Sequence, residues 1–213
     1  RTSDLRQSLK AATELDIIQS RANFSRLISG HAPSLTPGTH LKLPNARHPL
    51  LFSSVRQRAG IEPVIPEKSQ PTTPIPVNIL LSPPTTALIV TGPNTGGKTV
   101  ALKTAGLLVA MAQTGLLIPT DTDANVPVFQ SIFADIGDDQ SIKNNLSTYS
   151  GHITNIVKMD QQFQLPSLVL LDEIGTGTDP TEGGALGAAL IEYFRQRGAL
   201  VIATTHDSTM KTY

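Results

Sequence analysis

One stretch decides most of what this chain can become. Ala87-Leu88-Ile89-Val90-Thr91 is apolar and rich in β-branched residues, and it runs straight into Gly92-Pro93-Asn94-Thr95-Gly96-Gly97-Lys98-Thr99. Val100 to Gln113 follows with apolar residues at helical spacing. Strand, glycine loop and helix in direct succession fit the pattern G-x-x-x-x-G-K-[ST], a phosphate-binding loop. Gly92, Gly96 and Gly97 let backbone N–H groups close around phosphates with no Cβ in the way, and the new helix aims its positive end at them. Pro93, Asn94 and Thr95 complete the loop. Lys98 is expected to reach the β- and γ-phosphates, and the Thr99 hydroxyl to sit on Mg²⁺.

Around this loop the chain reads as an α/β protein. Leu116 to Ile118 suggests a short buried strand after the loop helix, with Gly115 as the helix cap. Val126, Val128 and Ser131 to Ile136 suggest a further strand or pair. Tyr149 to Phe163 carries the stripe Ile153, Ile156, Val157 and Met159 of a helix, with Asn145-Leu146-Ser147-Thr148 as its N-cap neighbourhood. Ser167 to Leu171 and Leu200 to Thr204 are buried strands, and Glu182 to Arg195 is an Ala/Leu-rich helix. Strands alternating with helices, most of them apolar on both faces, predict a mostly parallel sheet covered by helices.

The N-terminal part has another texture. Leu5, Leu9, Ala12, Leu15, Ile18, Ala22, Leu27 and Ile28 recur three to four or so residues apart, as in an amphipathic helix, with Gly30 and Pro33 as its stop. Such a helix is either a lever toward distant domains or a helix packed on its own core. From His31 to Pro84 prolines punctuate short extended pieces such as Thr39 to Leu43, and residues 63–84 alone hold seven prolines. That density forbids a helix there and confines any strand to an edge. Glu62 to Thr73 reads as a surface loop, and Ile75, Val77, Ile79 and Leu81 as a short strand placed to offer apolar contacts to a nucleotide base.

Composition narrows the partners. The 213 residues suit one large domain, or one domain plus part of a neighbour, and the ends read as those of a fragment. Cys is absent, which suits a reducing, cytoplasmic location, and neither a signal peptide nor a membrane span is visible. Lys plus Arg and Asp plus Glu number 17 each, so the phosphate-neutralising surface of any nucleic-acid complex is expected mainly elsewhere. The absence of Trp and aromatics at 4% argue against an extensive base-stacking platform.

Two further motifs carry chemistry. Ser167-Leu168-Val169-Leu170-Leu171 delivers Asp172-Glu173 to the carboxyl edge of a buried strand, where ligands of α/β sheets gather. Asp172 is expected to hold Mg²⁺ with Thr99, and Glu173, on the other side of the strand, to polarise the attacking water. Val201-Ile202-Ala203-Thr204-Thr205-His206 ends the next apolar strand at the same edge, so His206 can donate to the γ-phosphate or the attacking water. His31, His40, His48 and His152 lack such placement.

Gly92 to Thr99, Asp172-Glu173-Ile174-Gly175-Thr176-Gly177-Thr178 and Thr204-Thr205-His206 together resemble the ATPase domain of the MutS family, relatives of the ABC ATPases. Arg47-His48-Pro49-Leu50 resembles the approach to that domain, and Asp135-Ile136-Gly137 through Ser147-Thr148 its signature segment. Leu15-Asp16 resembles the end of the lever helix. Ser150-Gly151-His152-Ile153 and Asp179-Pro180-Thr181-Glu182-Gly183 are similar to the second bacterial branch, which is associated with branched DNA, recombination control, an Smr nuclease domain and, in some members, stalled ribosomes. The resemblance implies a P-loop NTPase with an ABC-ATPase-like sheet. It places the end of the lever helix at 1–30, an extended proline-rich lead-in at 31–84 and a C-terminally truncated ATPase core at 85–213. It further implies a homodimer in which each domain lends Ser147 to the nucleotide of the other, with the loop Gly175 to Pro180 across the seam. Nuclease residues fall outside the chain.

The leading expectation is a Mg²⁺-dependent ATP switch that moves DNA-clamping arms through the N-terminal helix. The alternative is a ribosome- or rRNA-associated factor using the same switch. A transporter or chromosome-structure ATPase is disfavoured, because Leu146-Ser147-Thr148-Tyr149-Ser150 stands where L-S-G-G-Q would be required.

Overall fold

The computed structural model describes residues 2–61, 73–93, 96–137, 147–175 and 179–206. Its first half runs α1 (Thr2–Leu27), β1 (Ser34–Thr36), β2 (Leu41–Ala46), a 3₁₀ turn at Pro49–Leu51, α2 (Ser53–Ala59), β3 (Val77–Leu81) and β4 (Ala87–Thr91). It continues with α3 (Lys98–Gln113), β5 (Asn125–Pro127), β6 (Ser131–Asp135), α4 (Ser147–Gln161), β7 (Ser167–Leu171), α5 (Pro180–Gln196) and β8 (Leu200–Thr205).

Two four-stranded sheets result. The larger is wholly parallel in the order β4-β8-β7-β6. The smaller, β1-β5-β2-β3, mixes parallel and antiparallel pairs, with the proline-flanked β3 at its edge. In the parallel sheet β7 and β8 are buried along their whole length. Their side chains alternate between two cores, as the two-residue period of a strand requires. Leu168, Leu170, Leu200 and Ile202 join α3 in one core, whereas Val169, Leu171, Val201 and Ala203 join Ile156, Met159, Ile191 and Phe194 of α4 and α5 in the other. Helices therefore cover both faces of the parallel sheet, as the apolar runs predict.

Helix α3 lies between the sheets, touching β2 on one side and β6, β7 and β8 on the other. It is buried around most of its circumference, from Leu102 through Ala105, Leu108, Val109 and Met111 to Ala112. Ile28, Leu41, Leu43, Phe52, Val55, Ile79 and Leu81 share its core, so β2, α2 and β3 are joined to α3 through one apolar cluster.

Several expectations need correction. Leu116 to Ile118 is not a strand: only Ile118 pairs, in a single antiparallel bridge to His31, because Gly115 and Pro119 bracket the segment too closely. Residues 53–59, expected to be extended, form α2, which Gly60 closes in the left-handed conformation at φ 66°. Residues 126–136 do hold two strands, but β5 and β6 belong to different sheets. The stripe of α1 does not pack on the chain's own core. Leu5, Leu9, Leu15 and Ile18 are each more than 60% exposed, and only its last turn, through Phe24, Leu27 and the following Ile28, meets the core.

Candidate functional site

The parallel register brings the three motifs to one edge. Thr91 pairs with Thr205 and Leu171 with Ala203, so Gly92, His206 and Asp172 all follow directly from strand ends at the carboxyl side of adjacent strands. Of the loop between β4 and α3, Asn94 and Thr95 lie outside the described residues. Pro93 accepts the Gly96 N–H at 3.0 Å, closing the loop into a tight turn. Gly97 sits at φ 78° as the N-cap of α3 and, having no side chain, offers that helix start no side-chain cap. Lys98 is 96% buried, and its ammonium donates to the Gly92 carbonyl at 2.7 Å, which holds the charge over the loop.

Across the sheet, the Thr99 hydroxyl donates to Asp172 Oδ1 at 3.2 Å. These residues are 73 positions apart, and the fold alone joins them. Asp172 is itself buried, and the same oxygen accepts the Thr204 hydroxyl at 2.5 Å. Among the described residues no group of three or more His, Asp or Glu could hold a metal. A cation at Thr99 and Asp172 would therefore draw, among the described residues, a single carboxylate and a hydroxyl. That donor set fits Mg²⁺, which keeps several waters and completes its shell with substrate phosphates.

Glu173 leaves β7 on the opposite side from Asp172. Its φ is 46°, a left-handed conformation that costs a non-glycine residue about 1–2 kcal/mol. The Thr204 hydroxyl accepts its backbone N–H at 2.9 Å. Its side chain lines a cavity of about 20 Å³ with Asp135, His152, Ile156, Ile174 and Leu186, between β6, α4 and α5. The turn after Glu173 is pinned against α5: a Cβ on Gly183 would come within 2.0 Å of the Gly175 carbonyl oxygen. Helix α5 itself starts at Pro180, two residues earlier than expected, because the Asp179 carboxylate caps the N–H groups of Thr181 and Glu182.

The site reaches further than the motifs do. Asp135, only 3% exposed at the end of β6, accepts from Asn155 Nδ2 at 3.1 Å, and its other oxygen lies 2.5 Å from His152 Nδ1. His152, expected to have no placement near the site, thus anchors α4 to the sheet beside Glu173. Ser147 is the first residue of α4, and Thr176 to Thr178 of the following loop lie outside the described residues. His206 is exposed at the end of β8. On the far side of α3, burial and the charge of Lys103 push the His48 ring below its ordinary pKa. That neutral ring accepts the Leu50 N–H at 3.3 Å and caps the 3₁₀ turn.

Residues 88–212 match the family model described as MutS domain V. The chain belongs to the MutS family. Proteins named Endonuclease MutS2 are among the relatives of this MutS-family chain. That of Exiguobacterium sibiricum is 44% identical over 98% of the chain and 24% of its own length. Those of Halothermothrix orenii and Symbiobacterium thermophilum are 44% and 43% identical over 100% and 98% of the chain, again 24% of their own lengths. The chain thus spans about a quarter of the curated relatives it matches. Among the described residues no helix is long and apolar enough to cross a membrane.

Sequence reasoning gave no site role to three contributors. Thr204 stands in a strand that is otherwise apolar up to that point, and a lone hydroxyl there was a usable signal. Asp135 and His152 were not assigned to it, since the register of β6 on β7 and the docking of α4 on Asp135 bring them to Glu173.

Proposed function

We propose that this chain is the ATP-binding and ATP-hydrolysing module of a MutS-type protein, a P-loop NTPase in fold. The observation that carries the reading is the Thr99–Asp172 contact at 3.2 Å, which joins the glycine loop to the acidic strand end. In this reading the loop residues Gly92 to Thr99 hold the triphosphate, and Lys98 transfers its ammonium from the Gly92 carbonyl to the β- and γ-phosphates. Thr99 and Asp172 would hold Mg²⁺, whose charge would offset that of the phosphates when bound. Glu173 accepts the proton of the water that attacks the γ-phosphorus, ADP departs with the bridging oxygen, and His206 donates a hydrogen bond to the transferred group.

Two copies facing each other complete the site in this proposal, with Ser147 at the start of α4 meeting the γ-phosphate held by the partner. The cycle of closing and release drives α1, and through it a DNA clamp engaged in recombination control or repair. The nuclease activity in the relatives' name is placed outside residues 1–213.

Two variants test the core of this reading. Lys98→Ala removes the cation that binds phosphate, so nucleotide affinity falls. Glu173→Gln keeps the shape and loses the base, so ATP still binds while turnover drops about a hundredfold or more. Equal loss of ATP affinity in both variants contradicts the roles.

A further inference from the structure

One hydroxyl ties the acidic pair together. Thr204 is fully buried on β8, the strand between β4 and β7. Its hydroxyl donates to Asp172 Oδ1 at 2.5 Å and accepts the Glu173 backbone N–H at 2.9 Å. A hydroxyl has one proton and two lone pairs, so a single side chain can serve both partners at once.

The two bonds have different consequences. The first fixes the rotation of the Asp172 carboxylate, whose Oδ1 also receives the Thr99 hydroxyl at 3.2 Å. The second holds the backbone of Glu173 in its left-handed conformation at φ 46°, which such a residue does not adopt without support. We propose that Thr204 is a positioning residue of the ATPase site, setting the orientation of Asp172 relative to Glu173 through one shared hydroxyl. This rests on the metal-holding and base roles proposed above for those two acids.

Thr204→Val keeps the volume and removes donor and acceptor together, while Thr204→Ser keeps the hydroxyl and gives up a methyl group. For the valine variant we expect ATP affinity in EDTA within about threefold of the parent, because the loop and Lys98 are untouched. Its kcat should fall about tenfold or more, with the Mg²⁺ concentration for half-maximal rate raised and the extra thermal stabilisation by ATP on adding Mg²⁺ reduced. The serine variant should return all three close to the parent values.

A valine variant with parental kcat and Mg²⁺ dependence overturns the proposal, as does a well-folded serine variant as slow as the valine one. Should the valine variant fail to fold, Thr204→Ala against Thr204→Ser decides the matter by the same readouts. Glu173→Gln is measured alongside. If it is slow while Thr204→Val is not, Thr204 alone loses its role; if it turns over at the parental rate, the base assignment falls and this proposal with it.

Discussion

Gly106 shows how a single missing Cβ sets the spacing between helix and sheet. In the interior of a helix, Gly→Ala gains about 1 kcal/mol from propensity alone. Here the added Cβ would lie 2.3 Å from Leu170 Cδ1, and Leu170 is itself 98% buried in the core beneath α3. Overpacking of this kind costs about 1–3 kcal/mol, so the clash outweighs the propensity. Gly106→Ala is therefore expected to lower the urea midpoint, and a raised midpoint would mean that α3 can lift from β7 at little cost. At this scale the sequence was most legible where spacing alone dictates chemistry. A glycine loop and a strand end are readable from spacing, and the fold brings Thr99 to Asp172 and Lys98 to the Gly92 carbonyl. Thr204 and His152 were hidden, because their partners, Asp172, Glu173 and Asp135, are reached only through strand register and helix docking.

Elements with a long apolar period were readable, and those held by caps were not. The buried strands β7 and β8 and the helices α3 and α5 announce themselves by their apolar runs. Helix α2 has a single buried residue, Val55, so its seven residues carry no period to detect. Helix α1 announced its period but not its destination, and most of its apolar stripe lies exposed. The 3₁₀ turn at Pro49–Leu51 depends on a neutral His48, whose Nδ1 accepts the Leu50 N–H. Desolvation first, then the Lys103 charge, lowers its pKa from an ordinary value of 6.5. Between the lowered folded value and 6.5 the unfolded chain therefore binds more protons than the folded one. Stability then rises with pH through that window and is lost as pH falls through it. His48→Asn keeps an acceptor at the cap and does not titrate. Unfolding midpoints at about pH 7.5 and about pH 5.5 should fall further in the parent than in this variant, and parallel losses would remove His48 as the cause.

On the scale of the whole molecule, the site is an edge property of the parallel sheet, and no single segment contains it. The loop follows β4, the acids follow β7 and the histidine follows β8, while α4 is tied to the same edge by the His152–Asp135 pair. That pair fixes where α4 lies on its own sheet, and with it where Ser147 opens the helix. If Ser147 serves the γ-phosphate of a facing copy, one chain holds only half of each site, and hydrolysis must follow association. ATPase activity per chain is then expected to rise with protein concentration across a wide dilution series. Ser147→Ala should flatten that rise while leaving nucleotide affinity at high dilution unchanged, because the glycine loop and Lys98 belong to one chain. Fusing a dimeric partner to the parent should lift the rate at low concentration, and should do so far less in the Ser147→Ala variant. A brisk rate per chain, level with concentration in a sample shown to be monomeric, would mean that the site closes within one chain and that Ser147 does no more than begin a helix.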